Sequence, residues 1–332
     1  MGHQVNKRHG PGRVGMQFWP RSRAKRLFPK INNWEISNEK GLLGFAGYKA
    51  ATTHVVFIDN RKNSTTKGVE VRSVATVIEC PPLNVFGIRF YKKSPYGSKC
   101  IGQIYSDKLE KNLSRKIPIP KSENKKEEKK LTPEELIQKS DNLTLIVHTN
   151  PTFKKTPEIM ELGIGGKDIQ EKYSIAKEKL GNQISISDVF KAGELIDTFS
   201  VTKGRGFEGA ITRFGCTILP RKTKRHVRTV GTLGPWKPSK VPSTVPQGGQ
   251  LGYNTRCEYN QWLLKIAKNS DIITPKGGIA HYGVVKSDYI ILKGSISGSK
   301  KRLIRLRKPA RANVKIPKVA PEITFISKEG RK

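Results

Sequence analysis

The sequence predicts a mainly β protein: a β-barrel of short strands, an α/β module inserted into it, and long basic extensions. Short runs rich in Val, Ile, Phe and Thr recur between turn residues. A charge-balanced segment interrupts them with a strand, helix, strand pattern. Lys and Arg also crowd stretches that hold too little apolar content to build a core. Over 332 residues, 63 Lys and Arg face 27 Asp and Glu, a net charge of +36. Such self-repulsion calls for a polyanion, and bound Lys and Arg displace condensed counterions from nucleic-acid phosphates.

The elements follow in order. Residues 1–40 form a basic extension: its first thirty residues carry Lys7, Arg8, Arg13, Arg21, Arg23, Lys25, Arg26 and Lys30 and no acid. That stretch cannot offset its ordering entropy by burying apolar surface, so it is expected to order only on its partner. Residues 41–51, 54–59, 69–80 and 85–91 read as strands, split by turns at 60–63 and by Pro81-Pro82. They assign 41–104 to the barrel, together with 195–214 and 257–308. Residues 105–194 are the inserted module. Its stretch 105–180 carries 16 basic and 13 acidic side chains, so it reads as an ordinary solvated surface. After a Pro, Lys and Glu linker at 118–130, Thr132 is placed to cap a helix with Pro133 first and Glu135 completing a capping box. Residues 143–149 read as a strand and 167–180 as a helix stopped by Gly181. Strands return at 195–201 and 208–214. Residues 215–256, rich in Gly, Pro, Lys and Arg, form a long loop without core positions. A short helix at 258–267, strands at 279–286 and 289–293, a further strand at 303–307, and a basic tail at 309–332 complete the chain.

Several function classes fall away. No run reaches the roughly 18 apolar residues of a membrane span, and the N-terminus lacks the apolar stretch of a secretory signal. Cys80, Cys100, Cys216 and Cys257 are far apart with no C-x-x-C pair, which argues against a zinc site and suggests small core residues in a reducing setting. Six scattered histidines show no metal spacing, and His54 and His148 read as strand histidines. With no nucleophile constellation in view, neither enzyme activity nor a cofactor is expected. An RNA-modifying enzyme or free RNA chaperone, and a membrane- or nucleoid-binding protein, are the competing classes.

The candidate contacts are basic. In 190–213, Lys203 and Arg205 flank the glycines of Gly204-Arg205-Gly206; this is either a phosphate-approaching turn or an ordinary Gly-rich hairpin. Arg221, Lys222, Lys224, Arg225 and Arg228 form a dense run suited to phosphate contacts. Trp236, between Pro235 and Lys237-Pro238, either stacks on an unpaired base or folds back onto the barrel. Trp19 beside Pro20 and Arg21 is equally ambiguous, whereas Trp34 and Trp262 read as core. Lys240, and Lys300, Lys301 and Arg302 at the head of the last basic stretch, complete the set. Gly248-Gly249-Gln250 matches the tripeptide of peptide-release factors, but its flanks do not.

The spacing of Phe190, Asp197, Ser200, Thr202, Gly204, Arg205, Gly206, Gly209 and Arg213 resembles the signature of the ribosomal protein L-three family. The likeness runs on through Leu219-Pro220-Arg221-Lys222-Thr223, Gly234-Pro235-Trp236-Lys237-Pro238 and Gly252-Tyr253-Asn254-Thr255-Arg256. At the N-terminus, Trp19-Pro20-Arg21-Ser22-Arg23-Ala24 is similar to the arm of archaeal and eukaryotic members, and the likeness is weakest at 105–180. The resemblance implies a translation-type β-barrel. It also implies a structural, ribosome-bound, cytoplasmic constituent of the large subunit whose partners are large-subunit rRNA and neighbouring ribosomal proteins, without membrane or small-molecule substrate. The arm and the 215–256 loop would thread between rRNA helices, with Trp236 nearest the peptidyl transferase centre, and the protein would nucleate early assembly. Three positions depart from the pattern or stay open. Lys224 replaces a histidine common in eukaryotic members, Pro246-Gln247-Gly248-Gly249 replaces a more basic stretch, and Gln250 lies near a glutamine that bacterial relatives methylate.

Overall fold

The computed structural model describes residues 21–34, 39–107, 109–119, 132–224, 226–268 and 272–328. The chain divides into two compact units, 1–27 with 201–256, and 28–200 with 257–332.

The larger unit is built on two antiparallel sheets. β2 (Gly44–Ile58) and β3 (Glu70–Glu79) pair along their length, and β3 continues into β13 (Tyr289–Lys293). Next come β12 (Thr255–Ala267), β9 (Leu195–Val201) and β14 (Leu303–Arg307), and β14 pairs back onto β2. Six strands thus close into a ring, the closed sheet that the short apolar runs predict. Residues 44–51 and 54–58 are not two strands but one 15-residue strand, since Thr52 and Thr53 continue its ladder with β3, while 41–42 form a separate strand of the second sheet. β2 is buried throughout from Gly44 to Ala51, including the stretch that β14 covers, and alternates from Thr52 on. There it carries β15 (Ile323–Ile326) on its edge, so the tail expected at 309–332 returns to the sheet as a strand.

The second sheet runs β1 (Gly41–Leu42), β7 (Ile159–Gly165), β6 (Asn142–Thr149), β4 (Leu83–Ser94), β5 (Gly97–Tyr105), with β8 (Gln183–Ile184) also on β4. Helices α1 (Pro133–Lys139) and α2 (Ile169–Lys179) pack on it. This corrects the barrel boundary of 41–104. Pro81 and Pro82 lack the N–H groups that would extend the β3 ladder, and the chain turns there into the other sheet. The N-cap half of the box expected at α1 forms: the Thr132 side chain accepts the Glu135 N–H at 3.4 Å, with Pro133 at the first position.

Three further readings change. Residues 258–267 are strand, not helix: Trp262, Leu263 and Leu264 are all buried, as a strand between two neighbours requires. Residues 279–286 form no strand, only a single bridge between Ile279 and Gly283. Residues 208–214 split into the end of β10 (Gly204–Glu208) and a short helix α3 (Ala210–Phe214) that ends where Gly215 adopts φ 73°. Of the cysteines only Cys80 is a core residue; Cys100 is exposed and Cys216 and Cys257 are half-buried.

The core is a contiguous cluster that draws on both sheets, including Phe45, Phe57, Ile78, Leu145, Ile196, Trp262 and Leu306. Trp34 packs against it, over Gly44 and Gly163, where a Cβ would collide with the indole. A buried ion pair sits at its edge. Asp197 Oδ2 accepts from Arg307 at 2.7 Å and from the Ala310 N–H at 3.1 Å, while Oδ1 accepts the Asn260 N–H at 3.0 Å. Arg307 donates in turn to the Asn33 carbonyl and covers Phe199.

Candidate nucleic-acid interface

The smaller unit is an electrostatic anomaly. Residues 1–27 and 201–256 carry eighteen Lys and Arg against one acid, Glu208. Its framework is a narrow two-stranded sheet. β10 pairs antiparallel with β11 (Gly249–Gly252), Phe207 opposite Gln250 and Glu208 opposite Gly249. Gly252, at φ 73°, is required here because a Cβ would meet the Lys203 carbonyl oxygen at 2.0 Å.

Phe214, at the end of α3, is buried beneath two guanidinium groups: Arg21 lies 4.3 Å and Arg213 5.2 Å from the ring centroid. Arg21 also donates to the Arg213 carbonyl at 2.9 Å. Arg213 donates to the carbonyls of Gln250 and Gln247, each at 3.1 Å, and lies flat against Gly249, where a Cβ would come within 2.9 Å of it. Two hydrogen bonds seat the incoming arm: the Asn254 side-chain amide donates to the Ser22 carbonyl and the Ala24 N–H to the Tyr253 carbonyl, both at 2.8 Å. Burial, then the charges of Arg213 and Arg256, hold the Arg21 guanidinium below its ordinary pKa. Burial does the same to Arg256. Arginine stays protonated at neutral pH all the same. The positive charges of Arg21, Arg213 and Arg256 therefore stand close together at neutral pH.

Residues 1–330 match the family model described as ribosomal protein L3. The chain is 44% identical to the large ribosomal subunit protein uL3 of Methanocaldococcus jannaschii over 334 residues, with 98% of each chain covered. It is 42% identical to that of Methanobrevibacter smithii over 333 residues, again with 98% of each covered. The chain belongs to the ribosomal protein L3 family.

In this family member the other candidates divide clearly. Arg13, Trp19 and Arg225 lie outside the described residues. Arg23, Lys25 and Arg26 are exposed on the arm, and Lys203 and Arg205 are exposed on and beside β10. Residues 215–248 hold turns only among those described. The Leu219 N–H reaches the Val227 carbonyl at 3.0 Å and closes a small excursion that displays Arg221, Lys222 and Lys224; Arg228 is exposed just beyond. Trp236 is 90% exposed, so the folded-back alternative does not hold. It lines an open concavity of about 360 Å³ with Gly234, Pro235, Pro238 and Lys240. Lys237 is exposed beside it. Gln250 turns its amide back onto the carbonyls of Leu251 and Gly252, at 3.3 and 3.2 Å, and does not present it. Lys300, Lys301 and Arg302 belong to the other unit, in the turn before β14. There Lys300 donates to the Ala280 carbonyl at 2.6 Å and Lys301 lies 6.0 Å from the Phe153 ring centroid.

Reading along the sequence missed Phe214, and it marked Asn254 only within the family likeness, not as a contact of the arm. Phe214 directly follows Arg213, but nothing local shows that Arg21, 192 residues before Arg213, covers its ring. Asp197, which the family resemblance marks, faces Arg307 inside the protein and makes no part of this surface. Among the described residues, no group of three His, Cys, Asp or Glu could hold a metal, and no helix is long and apolar enough to cross a membrane.

Proposed function

We propose that this protein is a structural constituent of the large ribosomal subunit that binds large-subunit rRNA through its smaller unit. The observation that carries this is the convergence of Arg21 and Arg213 on Phe214, with the charge of Arg256 beside Arg21, in a unit with a single acid. The relatives named as large ribosomal subunit proteins supply the setting. Arginine gives phosphate a planar, bidentate partner, and such contacts fix register on a backbone rather than read bases. The exposed Arg221, Lys222, Lys224 and Arg228 extend the charge along the 215–256 loop, and Trp236 offers an indole for stacking on an unpaired base. In this reading the basic arm of 1–40 and that loop both lie in rRNA, and the loop supports the peptidyl transferase region by position rather than chemistry. Lys300, Lys301 and Arg302 add a further contact. The protein orders rRNA early in assembly, and it is cytoplasmic because the ribosome is.

Filter binding of the full chain to large-subunit rRNA across a salt series tests the reading. A variant with Arg21 and Arg213 both changed to Met is expected to bind at least ten-fold more weakly, with a shallower salt slope. Unchanged affinity and slope would reject it. Absence of the protein from the large-subunit peak of a sucrose gradient would reject the ribosomal setting.

A further inference from the structure

The β4–β5 hairpin, in the larger unit, contains a feature that the arginine cluster does not explain. Lys92 and Lys99 are direct cross-strand partners, Lys93 faces Ser98, and Ser94 faces Gly97, which leaves Pro95 and Tyr96 as a two-residue turn. Like charges directly opposed destabilise an antiparallel pair. All three lysines are exposed, and among the described residues none forms an ion pair. The carboxylate at this end, Asp141, accepts the backbone N–H of Lys93 at 2.7 Å. Lys93 also adds its charge to that of Lys172, whose pKa is lowered first by burial and then by Lys93. At the tip the Tyr96 side chain is 101% exposed, so its ring packs against nothing.

An uncovered aromatic ring among uncompensated cations has the chemistry of a stacking platform with an electrostatic collar. We propose that the tip of the β4–β5 hairpin is a second RNA-contact site, where an unstacked base lies on Tyr96 and the flanking phosphates meet Lys92, Lys93 and Lys99. Successive strand residues face opposite sides, so Lys93 projects from one face of the ribbon and Lys92 and Lys99 from the other. That spread suits phosphates of a strand bent round the tip better than the one-sided acidic surface of a protein. The inference rests on the RNA-binding function proposed above but uses a different part of the chain.

The test uses the full chain and a large-subunit rRNA transcript as the probe. Tyr96→Ala is expected to weaken binding about ten-fold, in line with the loss of one stacked base, while Tyr96→Phe keeps wild-type affinity. Lys92→Ala with Lys99→Ala is expected to lower the slope of log affinity against log salt by about 1.4, two single-strand phosphates' worth. Lys99→Glu should weaken binding while the melting temperature holds or rises, because it replaces a repulsive cross-strand pair by an attractive one. Wild-type affinity and slope in every hairpin variant, alongside lost binding in the Arg21 and Arg213 variant, would overturn this site and leave the main reading standing. Wild-type behaviour in both sets would overturn both. Ultraviolet cross-linking in assembled subunits gives a second readout: Tyr96 joined to a nucleotide supports the site, and Tyr96 joined to a peptide of another protein overturns it.

Discussion

Replacing Asp197 by Ala should cost this protein more stability than any surface substitution in its basic loop. The carboxylate is completely buried and takes three donors, from Arg307, Asn260 and Ala310, at 2.7 to 3.1 Å. Truncation leaves the Arg307 guanidinium, itself only 5% exposed, without its counter-charge. It also frees two backbone N–H groups, one of them at Asn260, which holds φ 55°. Breaking a buried pair from one side costs about 3–5 kcal/mol, and each orphaned donor adds to that where water cannot reach it. At roughly 2–4 °C per kcal/mol, the melting temperature should fall by about 6–20 °C. Urea denaturation of the full chain gives the free energy, and the double change Asp197→Leu with Arg307→Met isolates the cause. Removing both charges should restore much of the loss, because a well-packed apolar pair can match or better a buried ion pair. A loss below about 1 kcal/mol in Asp197→Ala would refute the argument. It would move Asp197 from the internal framework to the RNA-facing surface.

Changing Arg221, Lys222 and Lys224 together to Ala should flatten the salt dependence of rRNA binding by roughly two to three units of slope while the melting temperature stays unchanged; an unaltered slope would remove this turn from the interface. Trp236→Ala should leave the stability of the isolated protein within about 0.5 kcal/mol of wild type yet impair reconstituted subunits, and a large stability loss would contradict the exposure of its indole. His148, buried beside Glu110 Oε2 at 3.2 Å, has its pKa lowered by burial, which outweighs the carboxylate. The unfolded chain then binds the proton more readily, so stability is lost as pH falls through and below about 6.5, by up to about 1.4 kcal/mol per pH unit. His148→Gln should remove that part of the slope between pH 7.5 and 5.5 in urea melts, and an identical slope in the variant would show that other groups set it.

How much of this was legible in the sequence depended on range. Apolar strands bounded by turn residues could be read directly, as could the Thr132 cap, because both are local. The strand at 255–267 misread as helix because Tyr259, Trp262, Leu263 and Ile266 also fall at helical spacing; its two neighbours in the sheet, far away in sequence, decide the matter. The split of 208–214 into β10 and α3 depends on Gly215 taking positive φ, which a strand pattern does not reveal. The basic character of the interface showed in composition alone. Its organising ring, Phe214, did not, because the guanidinium that covers it arrives from the arm. The opposed lysines of the β4–β5 hairpin emerge only once register is known.

The pairing of Glu208 with Gly249 has a consequence for how the chain tolerates change. The backbone departs and re-enters at one narrow doorway, so the forty residues between, 209–248, hang from a fixed threshold. Closing a longer or shorter excursion costs little, since the entropic penalty grows only with the logarithm of its length. An engineer could therefore trim or graft the outer part of that excursion while the doorway itself stays shut.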